Sequence, residues 1–164
     1  MFKSHFFKEL DFVKLFWSLV LCFGAGFLGS IYTAPAISIW YAELNKPSLT
    51  PPNWVFGYVW GALYFLMAYS FYLIWLKGWQ EKEIRFSMEF FLAHLLVMAG
   101  WSAVFFGAKE VMLAFIVILT LWSLILFLML NFYKQSRLAA YLLVPYLIWV
   151  GYATVLNFYI VILN

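Results

Sequence analysis

The chain has 164 residues, of which 67% are apolar, 24% aromatic and only 10% charged, with a formal net charge of +3. A water-soluble domain of this length needs a charged surface that so few ionisable residues cannot cover, which excludes a soluble globular protein. The basic residues are too dispersed for a nucleic-acid interface, so the expected partner of the charge is an anionic lipid headgroup and no nucleic acid.

Uncharged runs cover residues 15–42, 47–76, 90–108, 111–133 and 138–164. A bilayer core about 30 Å thick needs about 20 helical residues, and each run can supply them. The expectation is an all-α membrane protein, a single domain over 1–164. Its five-transmembrane-helix bundle has spans near 13–35, 53–76, 87–106, 111–133 and 138–162 and an ordered loop at 36–52. A closed β-barrel would alternate apolar and polar residues in segments of about 10, and these continuous runs do not.

The first span follows Lys3, Lys8 and Lys14 but is too long for a signal-peptide core. Its Cys22 has no second cysteine to pair with. Small residues recur at i+4 in two stripes, Ser18–Cys22–Gly26–Ser30 and Ala25–Gly29–Thr33, and Gly57 and Gly61 follow on the second span. Such stripes let backbones approach in lipid, either within the bundle or at a homodimer face.

Between the first two spans lies a segment bracketed by Trp40 and Trp54 and stiffened by Pro47, Pro51 and Pro52. Asn45-Lys46-Pro47 is a turn-forming context. Thr50 is expected as the N-cap of the second helix, with Pro51 at its first position. The segment reads as a structured cap over the bundle.

In the third span, His94 is the one candidate ionisable group at depth. Without an acidic or cysteine partner it reads as a hydrogen-bonded packing histidine, not a metal ligand. The spans otherwise lack the buried charges that ion-coupled transport uses. There is no nucleophile–base pairing, phosphate loop or metal-ligand spacing, so no catalytic residue, metal site or cofactor is expected.

Tryptophans 40, 54 and 101 fall toward one membrane boundary and 17, 75 and 79 toward the other, whereas Trp60, Trp122 and Trp149 fall deeper. An indole N–H in hydrocarbon needs a partner, so these three face a protein interior, a ligand cavity or lipid. On the fifth span Tyr146, Trp149, Tyr152, Ala153, Leu156 and Asn157 share a stripe, which suits either a pocket lining or core packing. Eight of the ten basic residues lie on one side of the five spans, with only Lys46 and Lys109 opposite. That bias places the N-terminus in the cytoplasm and the C-terminus, with the Trp40–Trp54 segment, outside.

These residues also occur in a familiar order. Trp40-Tyr41, Leu44-Asn45-Lys46-Pro47, Thr50-Pro51-Pro52-Asn53-Trp54-Val55-Phe56-Gly57 and Val59-Trp60 are followed by Leu63-Tyr64, Trp101-Ser102 and Phe105-Phe106-Gly107. Val144-Pro145-Tyr146-Leu147, Trp149, Ala153-Thr154 and Leu156-Asn157 complete the series. Over nearly its full length the chain resembles the tryptophan-rich sensory protein family, also called translocator protein or peripheral-type benzodiazepine receptor.

The resemblance implies a five-helix bundle, often a homodimer, with a pocket roofed by the loop between the first two helices. Its ligands are porphyrins such as protoporphyrin IX, sterols and synthetic hydrophobic drugs, so the implied function is tetrapyrrole binding in sensing, stress response or transport. Alternatives are light- and oxygen-dependent porphyrin degradation, with Trp60 and Trp149 as the redox-active indoles, and a sterol or lipid carrier. The implied ligand-binding residues are Tyr41, Pro47, Leu49, Trp60, Tyr64, Trp101, Phe105, Tyr146, Trp149, Ala153, Leu156 and Asn157. A bacterial inner membrane is the default location, with an outer membrane the alternative. Leu49, Tyr58, Met98, Ala103 and Val117 replace more aromatic, polar or rigid family residues and make the implied pocket more apolar. Phe158 and the absence of a basic residue after Tyr159 break the family's sterol motif.

Overall fold

The computed structural model describes residues 11–164; Lys3 and Lys8 of the charge count lie outside them. Seven α-helices form among the described residues: α1 Phe12–Ile37, α2 Trp40–Glu43, α3 Asn53–Trp75, α4 Lys82–Ser102, α5 Val111–Gln135, α6 Arg137–Leu142 and α7 Val144–Leu163. Residues Ala103–Gly107 continue α4 as a π-helix. Five helical stretches are long and apolar enough to cross a membrane, the last being α6 and α7 together, and no strand occurs among the described residues. The chain is an integral multi-pass membrane protein.

Each boundary has a local cause. Asp11 caps α1 by accepting the Lys14 backbone N–H at 3.1 Å, and its own N–H donates to the buried Tyr72 hydroxyl at 3.2 Å, tying the start of α1 to α3. Pro35 removes a donor from the last turn of α1, which ends two residues later. Helix α4 begins at Lys82, ahead of the expected residue 87, because Ile84, Ser87 and Met88 already bury one face while Lys82, Glu83 and Arg85 remain exposed.

Two expectations are corrected. The N-cap of α3 is Pro52 and not Thr50: Thr50 instead closes a turn through its N–H to the Pro47 carbonyl at 3.0 Å. The fifth span is broken at Leu143, because Pro145 has no N–H for the Tyr141 carbonyl and its ring crowds that turn.

The core runs along the axis of the bundle. α1 packs chiefly on α3 and α4, and α5 on α7 and α4. Phe71, Phe91 and Phe132 stack within it, with centroids 4.7 Å and 6.0 Å apart. Large side chains turned outward, including Phe16, Phe27, Leu96, Ile116, Leu130 and Ile148, form the surface a bilayer covers. The small stripes of α1 are spent partly inside the bundle: Ser18, Cys22 and Gly29 are buried, and the Tyr64 ring lies directly against Gly26.

Candidate functional site: a cavity beneath the α1–α3 loop

A cavity of about 600 Å³ opens within the half of the bundle nearest the α1–α3 loop. Glycines make the space. A Cβ at Gly57 or Gly61 would meet nothing within 4 Å, so the α3 wall is hollow between Phe56, Trp60 and Tyr64. Trp60 and Tyr64 stack there at 5.5 Å. The α1 wall is Gly26, Gly29, Ser30 and Thr33, where a longer side chain at Gly29 would press on Ser102 at 3.0 Å. From α4 come Met98, Trp101 and Ser102, from α5 Ile118 and Leu121, and from α7 Val150, Ala153, Leu156, Asn157 and Ile160.

The roof rests on the π-helical turn. The Ala108 N–H reaches back five residues to the Ala103 carbonyl at 2.8 Å, so the turn holds one residue more than an α-turn. The widened turn brings Phe105 and Phe106 together at 4.8 Å, and Trp101 stacks on Phe105 at 5.1 Å. Trp40 and Tyr41 of α2 settle edge-on against this pair. Burial raises the Tyr41 hydroxyl above its ordinary pKa, and nearby Tyr152 adds to the shift. Gly107 lies where a Cβ would be 2.7 Å from the Tyr32 ring, so the close approach of the π-turn to α1 requires glycine.

The loop is fastened at three points. Lys46 Nζ donates to the carbonyls of Tyr41, Leu44 and Ala42 at 2.6, 3.0 and 3.3 Å, and stands 4.8 Å above the Tyr41 ring. Asn45 and Asn164 exchange hydrogen bonds at 2.9 and 3.0 Å, fixing the loop to the end of α7. The Tyr152 hydroxyl donates to the Leu49 carbonyl at 2.5 Å.

Polar atoms in the wall are few and mostly engaged. Ser30 and Thr33 donate to carbonyls of their own helix, and Trp101 Nε1 donates to Asn157 Oδ1. Tyr64 and Ser102 add hydroxyl-bearing side chains to the lining. The chemistry on offer is therefore apolar enclosure, flat aromatic surfaces and one or two hydroxyls, as in a small-molecule binding site.

Of the sequence-derived site residues, the structure brings together Tyr41, Trp60, Tyr64, Trp101, Phe105, Ala153, Leu156 and Asn157 in this wall. Pro47 and Leu49 stay in the loop without lining the cavity, and Tyr146 is fully buried behind Trp60, edge-on at 6.1 Å. Trp149 is turned toward Phe56, 5.7 Å away, and borders a separate shallow groove with Val59, Leu63, Pro145, Ile148 and Tyr152. Sequence reasoning missed Phe56 and Ser102 as lining, and assigned the glycines of α1 and α3 to bundle packing or a homodimer face.

The matched region agrees with this geometry. Residues 18–163 match the TspO/MBR family, a stretch that contains the loop and every wall of the cavity. The chain belongs to the TspO/MBR family. It is 40% identical to the tryptophan-rich protein TspO of Chlorobaculum tepidum, over 88% of this chain and 91% of that protein. It is 38% identical to the translocator protein of Homo sapiens, over 80% and 79%. With the tryptophan-rich sensory protein of Cereibacter sphaeroides it shares 37% identity, over 90% and 92%. Family members thus carry sensory and translocator names, and the matched stretch holds both the cavity and its roof.

Proposed function

We propose that the protein binds a flat hydrophobic molecule, a porphyrin of the protoporphyrin IX type, in the cavity beneath the α1–α3 loop, as a membrane sensor or carrier. The observation that carries the reading is the wall itself. A space of about 600 Å³ is lined by both the Trp60–Tyr64 stack and the Trp101–Phe105 stack. Flat aromatic surfaces in an apolar wall suit a planar macrocycle better than a flexible chain. Each aromatic pair adds about 0.5–1.5 kcal/mol beyond the apolar area it covers. The bias of basic residues puts the roofed end of the cavity outside.

Copurifying material extracted from the protein and identified by mass tests this reading, together with a saturable titration of protoporphyrin IX in detergent. A tetrapyrrole in the extract and one-site quenching of tryptophan fluorescence are expected. A structureless lipid mixture together with non-saturable quenching would remove the proposal.

A further inference from the structure

Behind the cavity wall, α4 and α7 enclose a donor and an acceptor that do not meet. His94 is 1% exposed and Tyr146 is 0% exposed. The His94 Nδ1 lies 2.6 Å from the Phe91 carbonyl oxygen. A carbonyl can only accept, so Nδ1 carries the proton, and in the neutral ring Nε2 presents a bare lone pair. That Nε2 is buried without a hydrogen-bond partner, and so is the Tyr146 hydroxyl. The two rings face each other edge-on with centroids 5.8 Å apart. Phe91 packs edge-on against His94, and Tyr64 and Cys22 are the polar neighbours of Tyr146, yet none of them bonds either orphaned atom.

We infer that Tyr146 and His94 form a two-point internal site for one hydroxyl-bearing group, which accepts from the Tyr146 O–H and donates to His94 Nε2. Only a group with a lone pair and an O–H on the same small unit satisfies both residues at once. Water and a protonated carboxyl or hydroxyl of a bound molecule share that chemistry. Trp60 belongs to the cavity wall and packs on Tyr146, so the site lies one side chain behind the cavity, below its aromatic floor. The site does not depend on which molecule fills the cavity. Its demand for a donor follows from the fixed Nδ1 proton, and its demand for an acceptor from the unpartnered Tyr146 O–H.

Crystal structures of the full chain in a lipid phase, at a resolution that shows ordered water, test the site with and without protoporphyrin IX. A solvent peak within hydrogen-bond distance of both Tyr146 Oη and His94 Nε2 in the ligand-free protein identifies water as the occupant. A site filled only in the complex, by a propionic acid oxygen of the porphyrin, identifies the bound molecule. Either result supports the inference. Direct contact of Oη with Nε2, or no density between them in both structures, overturns it, whatever the cavity itself contains.

Discussion

The Trp101 indole N–H donates to Asn157 Oδ1 at 3.2 Å, joining α4 to α7 in the cavity wall. Asn157 Nδ2 in turn donates to the Val111 carbonyl at the start of α5 at 3.2 Å, so one buried amide holds three helices in register. Asn157→Leu leaves the Trp101 N–H unsatisfied, whereas the Val111 carbonyl keeps its partner within α5; a buried orphan costs about 1–3 kcal/mol. Pairwise hydrogen bonds between membrane helices are weaker, about 0.6 kcal/mol on average. The expected pattern is a clear loss of stability for Asn157→Leu, with a coupling to Trp101→Phe near the smaller figure. Thermal unfolding of the single and double variants in mixed micelles measures both; strictly additive effects would contradict the bond.

The two kinds of glycine in the wall should respond oppositely. Gly26 is pressed on by the Tyr64 ring, whose hydroxyl would lie 2.9 Å from an added Cβ. Gly26→Ala therefore pushes Tyr64 off its stack with Trp60, and lowered stability with weakened ligand binding is expected. Gly61→Ala enters open space. It gains the helix propensity of alanine, up to about 1 kcal/mol, and keeps the fold. Gly61→Phe should keep the fold as well and fill the cavity. Unfolding midpoints and porphyrin titrations on the three variants test this, and a Gly26→Ala protein as stable as the parent would be inconsistent with the packing.

Lys46 is the fastener whose loss should loosen the roof alone. Three carbonyls of the loop converge on its ammonium group, and hydrogen bonds to a charged donor contribute about 1.5–3 kcal/mol. Lys46→Met should raise amide exchange across residues 40–52 while leaving α4 and α5 protected, and should speed ligand release. Exchange mass spectrometry reads the first and a chase with unlabelled porphyrin the second. Unchanged exchange in the loop would show that the Asn45–Asn164 clasp holds it without Lys46.

Spans and motif order were legible in the sequence because both are written in long, local patterns. Five uncharged runs of bilayer length mark the helices, and Trp60, Tyr64, Trp101 and Asn157 sit inside motifs. Trp149 was not legible. Its stripe with Tyr152 lies wholly within α7, and a stripe that wide on one helix does not say which edge faces inward. The buried face is Tyr146, Val150, Leu156, Asn157 and Ile160, and Trp149 sits at its edge, turned toward Phe56 and Val59 of α3. The π-turn at Ala103–Gly107 leaves no mark in composition, since one extra residue per turn needs no proline or charge. Its one local sign is Gly107, which stands where the backbone passes the Tyr32 ring.

The central claim is that the Trp60 side of the wall, not the Trp149 side, faces the bound macrocycle. A protoporphyrin IX titration followed by tryptophan fluorescence, on Trp60→Leu and Trp149→Leu proteins beside the parent, tests it most directly. Loss of a stacking pair worth about 0.5–1.5 kcal/mol predicts a roughly two- to tenfold weaker affinity for Trp60→Leu. Trp149→Leu, one ring behind the wall, should bind within about twofold of the parent. Affinity lost in Trp149→Leu and retained in Trp60→Leu would contradict the placement of the ligand in this cavity.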